Sequence, residues 1–260
     1  MTGAGSVLAL ILTEWTMGWV GAAAWTQSWG VVRRGHFRIT AWIVVVIAGL
    51  AYFAVDSAVP AGHSSRMLAL ITVGLCALYL LAQYVRSERA GTVVGAVAML
   101  AGGVTLVSMS ALIDEWPRFL ATLELLAGAV LLGAVTNGMM LGHWYLNQPG
   151  LKHWALASLT QLSVGSVAAS ALLGVIAVGR LTSASTEGAV LGLSGFGDEF
   201  GWAFYAIWLV LLGFTGVVVW AARRCVKIRS IQSATGLYYV AILTAGVAEF
   251  LVRYLMVNAT

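Results

Sequence analysis

Eight apolar stretches, each long enough to cross a lipid bilayer, constrain this chain more than any other feature of its sequence. Crossing about 30 Å of hydrocarbon as a helix takes roughly 20 residues, and every backbone polar group must then be satisfied within the helix. The stretches cover residues 6–29, 37–59, 67–85, 92–113, 118–146, 153–179, 201–222 and 236–257. The sequence therefore predicts an all-α integral membrane protein with eight transmembrane helices in a lipid bilayer.

The composition supports this fold class and excludes several functions. Only 9% of the residues are charged, against about 25% in soluble domains. The net charge of +4 comes from basic residues in short loops, a pattern that reports orientation in a membrane and not nucleic-acid binding. The two cysteines lack C-x-x-C spacing, so neither an iron–sulfur centre nor a c-type haem is expected on this chain.

Lysine and arginine are distributed unequally between alternate loops. The first, third, fifth and seventh loops hold ten of these residues, whereas the second, fourth and sixth hold three. Because cytoplasmic loops carry the excess of positive charge, the odd-numbered loops are predicted to lie inside and both termini outside. We expect a multi-pass protein of the inner (cytoplasmic) membrane.

The first and fifth stretches align without a gap at a separation of 110 residues. The matched residues are Glu14, Gly18, Val20, Ala24, Thr26 and Gln27 against Glu124, Gly128, Val130, Ala134, Thr136 and Asn137. The fourth and eighth stretches also align, residues 98–100 with residues 241–243. One interpretation is a tandem duplication; the other is a chance match between common small residues.

A duplication would divide the chain into two four-helix units within one membrane domain, residues 1–113 and 114–260. The two units would have the same orientation and would be related by an axis along the membrane normal. A binding site is then expected between them.

Three acidic residues, Glu14, Glu124 and Glu249, lie inside apolar stretches. A carboxylate in lipid costs several kcal/mol unless it is paired, protonated or hydrated, so such residues mark functional sites. With both termini outside, all three lie roughly 9–12 Å below the outer edge of the bilayer. Arg253 follows Glu249 by one turn, the favourable order for an i,i+4 pair. These four residues are predicted to transfer protons; the alternative is a structural knot that pins helix ends.

A second group of polar and aromatic residues lies at the opposite membrane face. It consists of His143, Trp144, Tyr145, Gln232, Thr235 and Tyr238. Hydrogen-bond donors beside apolar walls suit a quinone headgroup, either menaquinone or ubiquinone; the alternative is an interfacial aromatic anchor with a helix N-cap. A b-type haem is not expected, because all four histidines lie at helix ends or in loops and do not face one another within the bundle. The sequence shows no metal-ligand spacing.

The eight spans, the two four-helix halves, the buried acids and the opening helix at residues 12–18 (Leu-Thr-Glu-Trp-Thr-Met-Gly) resemble the NrfD-like membrane subunits of polysulfide and dimethyl-sulfoxide reductases. Residues 59–63 read Val-Pro-Ala-Gly-His where that family has His-Leu-Gly-x-Pro, so no family site residue is carried over. The resemblance is architectural and covers most of the chain. It implies a quinone-interacting subunit of a respiratory oxidoreductase complex, with iron–sulfur, haem or molybdenum centres on peripheral partner subunits.

The sequence thus predicts a membrane subunit that binds quinone or quinol and handles its protons, either with a quinone site of its own or without catalytic chemistry. Two other functions stay open. A proton-coupled small-molecule transporter would also use parallel repeats and intramembrane carboxylates. A non-catalytic membrane anchor or assembly subunit would not depend on the acids for activity.

Overall fold

The chain forms long helices that begin and end at the polar breaks in the sequence. The computed structural model describes residues 3–85, 87–148, 150–183 and 201–258. The helices in these ranges are α1 (Ala4–Ser28), α2 (Arg34–Ala58), α3 (Ser64–Ala82), α4 (Glu88–Ser110), α5 (Arg118–Trp144), α6 (His153–Ile176), α7 (Val178–Leu181), α8 (Gly201–Lys227) and α9 (Ile231–Val257). All except the one-turn α7 are long and apolar enough to cross a membrane. The protein is therefore an all-α, multi-pass membrane protein, as predicted.

Local chemistry accounts for several helix boundaries. Pro117 is the N-cap of α5 and Pro60 follows α2, positions where a missing N–H donor breaks no helical hydrogen bond. The hydroxyl of Ser87 accepts a hydrogen bond from the Ala90 backbone N–H at the start of α4, the usual role of an N-cap serine. Gly30, just after α1, has a φ of 64°, the left-handed conformation that glycine adopts at helix ends.

The eight spanning helices form two rings of four with the same order of neighbours. In the first ring, α1 packs on α2, α2 on α3, α3 on α4, and α4 on α1. In the second, α5 packs on α6, α6 on α8, α8 on α9, and α9 on α5. The rings meet along α1 and α5, with flanking contacts of α1 with α9 and of α4 with α5. The buried side chains are therefore concentrated on α1, α5 and α9.

The outer surface of the rings is strongly apolar. Phe53, Val210 and Leu243 expose 70%, 71% and 68% of their surface. Such a continuous apolar surface is a liability in water, but lipid tails solvate it. In lipid, helix association depends on close packing and polar contacts between helices, because the membrane supplies no hydrophobic driving force.

Glycines allow α1 and α5 to approach until their backbones touch. Gly18 of α1 lies against the backbone of Ala129 and Gly133 of α5. A Cβ at Gly18 would overlap the Ala129 carbonyl, and one at Gly133 would overlap the Gly18 backbone. Small residues that permit backbone contact are a main source of helix association in membranes, so we call this contact the glycine crossing.

Side-chain hydrogen bonds between α1 and α5 add to the glycine crossing. Trp15 Nε1 donates to Thr136 Oγ1 over 2.8 Å. The Asn137 amide nitrogen donates to the Ala22 carbonyl oxygen over 3.2 Å and to Thr26 Oγ1 over 3.3 Å. These contacts run between residues of the two stretches that the sequence aligned, so α1 and α5 lie side by side as parallel helices.

We expect Gly18→Ala to destabilise the protein, because the new Cβ fits only if α1 and α5 move apart. Overpacking of this kind costs about 1–3 kcal/mol, which lowers the melting temperature of a chain of this size by about 2–10 °C. Thermal unfolding in detergent measures the effect. Gly49→Ala is the matched control, since a Cβ at Gly49 meets nothing within 4 Å. Equal melting temperatures for the two variants would contradict the close crossing.

Candidate functional site

The four charged residues that the sequence places inside spanning helices meet in one cluster. Glu14 comes from α1, Glu124 from α5, and Glu249 and Arg253 from α9. Each of these side chains is at most 2% exposed. The structure therefore brings all four predicted residues together, at the junction of the two rings; we call this group the carboxylate cluster.

The guanidinium of Arg253 is the centre of the carboxylate cluster. Its Nε lies 2.7 Å from Glu14 Oε1. Its Nη2 lies 2.8 Å from Glu249 Oε2, so the predicted i,i+4 pair forms. Nη2 also donates to the backbone carbonyl of Glu124 over 2.8 Å, and Nη1 donates to Met256 Sδ over 2.8 Å. All three nitrogens thus contact protein groups, as burial of a charge requires.

Glu124 is the least constrained acid of the cluster. Its Oε2 lies 3.9 Å from Arg253 Nη1, which is beyond hydrogen-bonding distance. Its Oε1 has no hydrogen-bond partner among the residues that the structure describes, and neither does Glu14 Oε2. Three carboxylates around one guanidinium carry a net negative charge when all are ionised, which the membrane interior does not tolerate without compensation. Bound protons are the simplest compensation.

Gly128 provides the space that the carboxylate cluster needs. It lies one turn after Glu124 on α5, and a Cβ there would collide with Arg253 Nη2 and Glu249 Oε2. The sequence pointed to Gly128 only as the counterpart of Gly18 in the aligned stretches. The usable signal was a glycine four residues after an intramembrane glutamate, which marks a face on which a neighbouring helix approaches closely.

Thr235 and Tyr238, two members of the predicted quinone face, pack against α5. Gly142 leaves room for Thr235, and Gly138 leaves room for the Tyr238 ring. The Tyr238 hydroxyl lies 3.3 Å from Ser163 Oγ on α6. These two side chains therefore join α5, α6 and α9, and their polar atoms bond within the protein.

The other four members of the predicted quinone face have different surroundings. His143 and Gln232 are exposed. Trp144 Nε1 donates to Gln148 Oε1 over 3.0 Å, and the Tyr145 hydroxyl donates to the backbone carbonyl of Lys152 over 2.7 Å. The structure thus pairs Thr235 with Tyr238 but directs Trp144 and Tyr145 to other elements.

His36 is a buried polar residue that the sequence analysis did not single out. It lies in the first turn of α2 and is fully buried, although its place in a polar break indicated a loop. The imidazole lies beside the side chain of Asn137. This contact lacks hydrogen-bond geometry, so both ring nitrogens and Asn137 Oδ1 are without a formed hydrogen bond in the described part of the chain.

An apolar cleft opens to the lipid between α5 and α6. It has a volume of about 510 Å³, and its α5 wall includes Leu123 and Ala127, which flank Glu124 along the helix. Gln161 and Ser166 of α6 are the polar residues in its lining. The cleft therefore offers a long apolar surface on the helix that carries the least constrained acid.

The fold and the site define a class: a multi-pass membrane protein in which three buried carboxylates share one guanidinium between two rings of helices. Comparisons with models of protein families, with curated proteins and with solved structures find no match to this chain. The function proposed below accordingly rests on the residues and on the geometry of their contacts.

We expect Arg253→Leu to destabilise the protein strongly, because three buried carboxylates lose their counter-ion. Removing one partner of a buried ion pair costs about 3–5 kcal/mol. Arg66→Leu is the control: Arg66 pairs with the half-exposed Asp56 at 3.0 Å, and exposed pairs contribute about 0–1 kcal/mol. Thermal unfolding in detergent compares the two variants.

Adding Glu14→Gln to Arg253→Leu should restore part of the lost stability, since fewer buried charges then lack a counter-ion. Equal stability of Arg253→Leu and Arg66→Leu would show that the ion pairs of the cluster do not hold the helices together.

Proposed function

We propose that this chain is a quinone-interacting membrane subunit of a respiratory oxidoreductase complex, which handles the protons of quinone while partner subunits carry the redox centres. The observation that carries the proposal is the carboxylate cluster, in which three acids at most 2% exposed surround one guanidinium. Oxidation of a quinol releases protons as well as electrons, and reduction of a quinone takes both up. A quinone site within lipid therefore needs buried groups that exchange protons.

The number of acids supports proton exchange over a purely structural role. One guanidinium needs one carboxylate, and each further buried acid adds desolvation and repulsion without a new counter-ion. Glu14 and Glu249 occupy the short contacts to Arg253, at 2.7 and 2.8 Å. Glu124 keeps an oxygen without a hydrogen-bond partner in the described residues. We therefore assign the exchangeable proton to Glu124, with Arg253 stabilising its ionised form.

The chemistry assigned to Glu124 is general acid–base catalysis. During quinol oxidation, the O–H bond of the quinol breaks, the proton moves to Glu124 and the electron moves to a redox centre of a partner subunit. In the opposite direction, Glu124 gives its proton to a quinone oxygen as an electron arrives. The apolar cleft beside Leu123 and Ala127 suits an isoprenoid tail, since tail binding requires only apolar walls. Menaquinone and ubiquinone both fit this description.

The tandem duplication and the membrane orientation belong to the same proposal. The two rings have the same order of neighbours, and the contact of α1 with α9 has its counterpart in the contact of α5 with α4. A twofold axis along the membrane normal produces this pattern. The loop before α2 and the loop after α8 are rich in arginine, which favours the cytoplasmic side for that face and the outside for both termini. Eight spanning helices with buried acids also support the resemblance to NrfD-like subunits.

Photoaffinity labelling tests the position of the quinone. The full chain is purified in mild detergent with its native partners, and azido-ubiquinone and azido-menaquinone are cross-linked to it and mapped by mass spectrometry. We expect label on α5 and α6 along the apolar cleft, and haem, iron–sulfur or molybdenum signals from co-purified subunits. Label confined to α2 and α3, or a preparation without redox partners, would count against the proposal.

We expect Glu124→Gln to lower quinone-linked electron transfer by the purified complex by about 10²–10⁴-fold, because the amide keeps the shape but cannot accept the proton. The assembled complex and its melting temperature should change little. Glu88→Gln is the matched control, since Glu88 is 55% exposed and lies 3.8 Å from Arg34 Nε. Wild-type turnover in Glu124→Gln would remove Glu124 from the mechanism.

A proton-coupled small-molecule transporter is the second candidate. The position of the carboxylate cluster favours it, because charged sites between two repeated units are typical of transporters. Uptake of a solute by the purified chain alone in proteoliposomes, driven by a pH gradient, would establish this function. Such uptake together with absent quinone labelling would overturn the respiratory proposal.

A further inference from the structure

A second group of buried polar residues lies near the membrane face on which α2 begins. It consists of His36 and Thr40 of α2, Thr26 of α1 and Asn137 of α5, all fully buried. Both His36 ring nitrogens, Thr40 Oγ1 and Asn137 Oδ1 are without a hydrogen-bond partner among the described residues. Since buried polar atoms are almost always hydrogen-bonded, a group of them on three facing helices indicates a site that binds something.

The amide of Asn137 is oriented so that its carbonyl is available to His36. The amide nitrogen donates to the Ala22 carbonyl oxygen and to Thr26 Oγ1 on α1. The opposite amide orientation would place two carbonyl oxygens against each other. Oδ1 is therefore the atom left for the imidazole that lies beside it. Because a protonated imidazole has two N–H donors and no acceptor, a carbonyl acceptor favours the charged form.

Aromatic rings leave little space around His36. The rings of Phe37 and Trp144 lie edge-on to the imidazole at centroid distances of 5.0 and 5.9 Å. Trp144 packs so closely on α2 that a Cβ at Gly35 would collide with its ring. The ligand that this site accepts without rearrangement is a proton.

The groups that surround His36 in the described residues are uncharged. α1 presents Thr26, and α5 presents Asn137 and Trp144. The charged residues on α2 next to His36, Arg34 and Arg38, donate to backbone carbonyls just after α3. No carboxylate of these elements supplies a counter-ion, so the Asn137 carbonyl is the group that stabilises a positive charge on the ring.

We propose that His36 is a proton-accepting site for the membrane face on which α2 begins, and that Asn137 is the positioning residue that stabilises its imidazolium. The inference rests on the proton-handling function proposed above and extends it. The glycine crossing lies between the two sites, with Glu14 one turn before Gly18 and Thr26 two turns after it. The chain therefore has proton-binding groups in both halves of the membrane, one on each side of a closed helix contact.

Solid-state NMR of the ¹⁵N-histidine-labelled full chain in lipid nanodiscs tests the site directly. The chain has four histidines, and a variant with the other three replaced by glutamine assigns the His36 signal without changing the site. We expect an imidazolium signal from His36 that grows as the pH falls. An imidazole that stays neutral over the whole pH range in which the protein remains folded would overturn the proposal.

Variants separate a proton site from a merely structural histidine. Asn137→Leu should lower the imidazolium fraction of His36 at a fixed pH by about tenfold, because the ring loses its carbonyl acceptor. His36→Gln should lower proton uptake from that membrane face by about tenfold in the reconstituted complex. His143→Gln, which removes an exposed histidine at the same face, should leave uptake within about twofold of wild type. Equal uptake in the two histidine variants would contradict the proposal.

The NMR measurement does not involve quinone. Absent quinone labelling would therefore remove the respiratory function and leave the His36 site in place. A permanently neutral His36 would remove this site and leave the carboxylate cluster in place.

Discussion

A guanidinium buried in a membrane protein must find its counter-charges within the protein, and this requirement organises the centre of the fold. Arg253 contacts the carboxylate of Glu14 on α1, the carboxylate of Glu249 on its own helix and the backbone of Glu124 on α5. These contacts join helices from both rings at one point. Because lipid provides no hydrophobic force that drives helices together, charge compensation and backbone contact are what hold the rings in register.

The ion pairs and the glycine contacts depend on each other. Gly18 lies one turn after Glu14, and Gly128 lies one turn after Glu124. The first glycine lets α1 reach the backbone of α5, and the second leaves space for Arg253 on the side of α5 that faces α9. A bulkier residue at either position would separate the helices that supply the acids. The same spacing on two parallel helices therefore fulfils a packing role and an electrostatic role together.

Hydropathy and loop charge predicted the eight spans, and helix rise predicted that three acids lie at one depth. Both inferences depend only on distance along a helix. They say little about the direction of a side chain around the helix axis, because these helices are apolar on nearly every face. For that reason the predicted quinone face separated into Trp144, which packs on α2, and Tyr238, which packs on α5. His36 escaped attention because a polar break indicates a loop, whereas the neighbouring helices cover it.

The carboxylate cluster and the His36 site differ in the kind of charge that each stabilises. The cluster has more acids than one guanidinium can neutralise, so it gains stability by holding a proton between carboxylates. The His36 site is uncharged and offers a carbonyl oxygen, so protonation there creates a positive charge with a single dipolar partner. A proton held by the cluster removes buried charge, whereas a proton held by His36 adds it. Uptake at His36 is therefore the more easily reversed of the two steps, and the cluster is the more stable place for a proton.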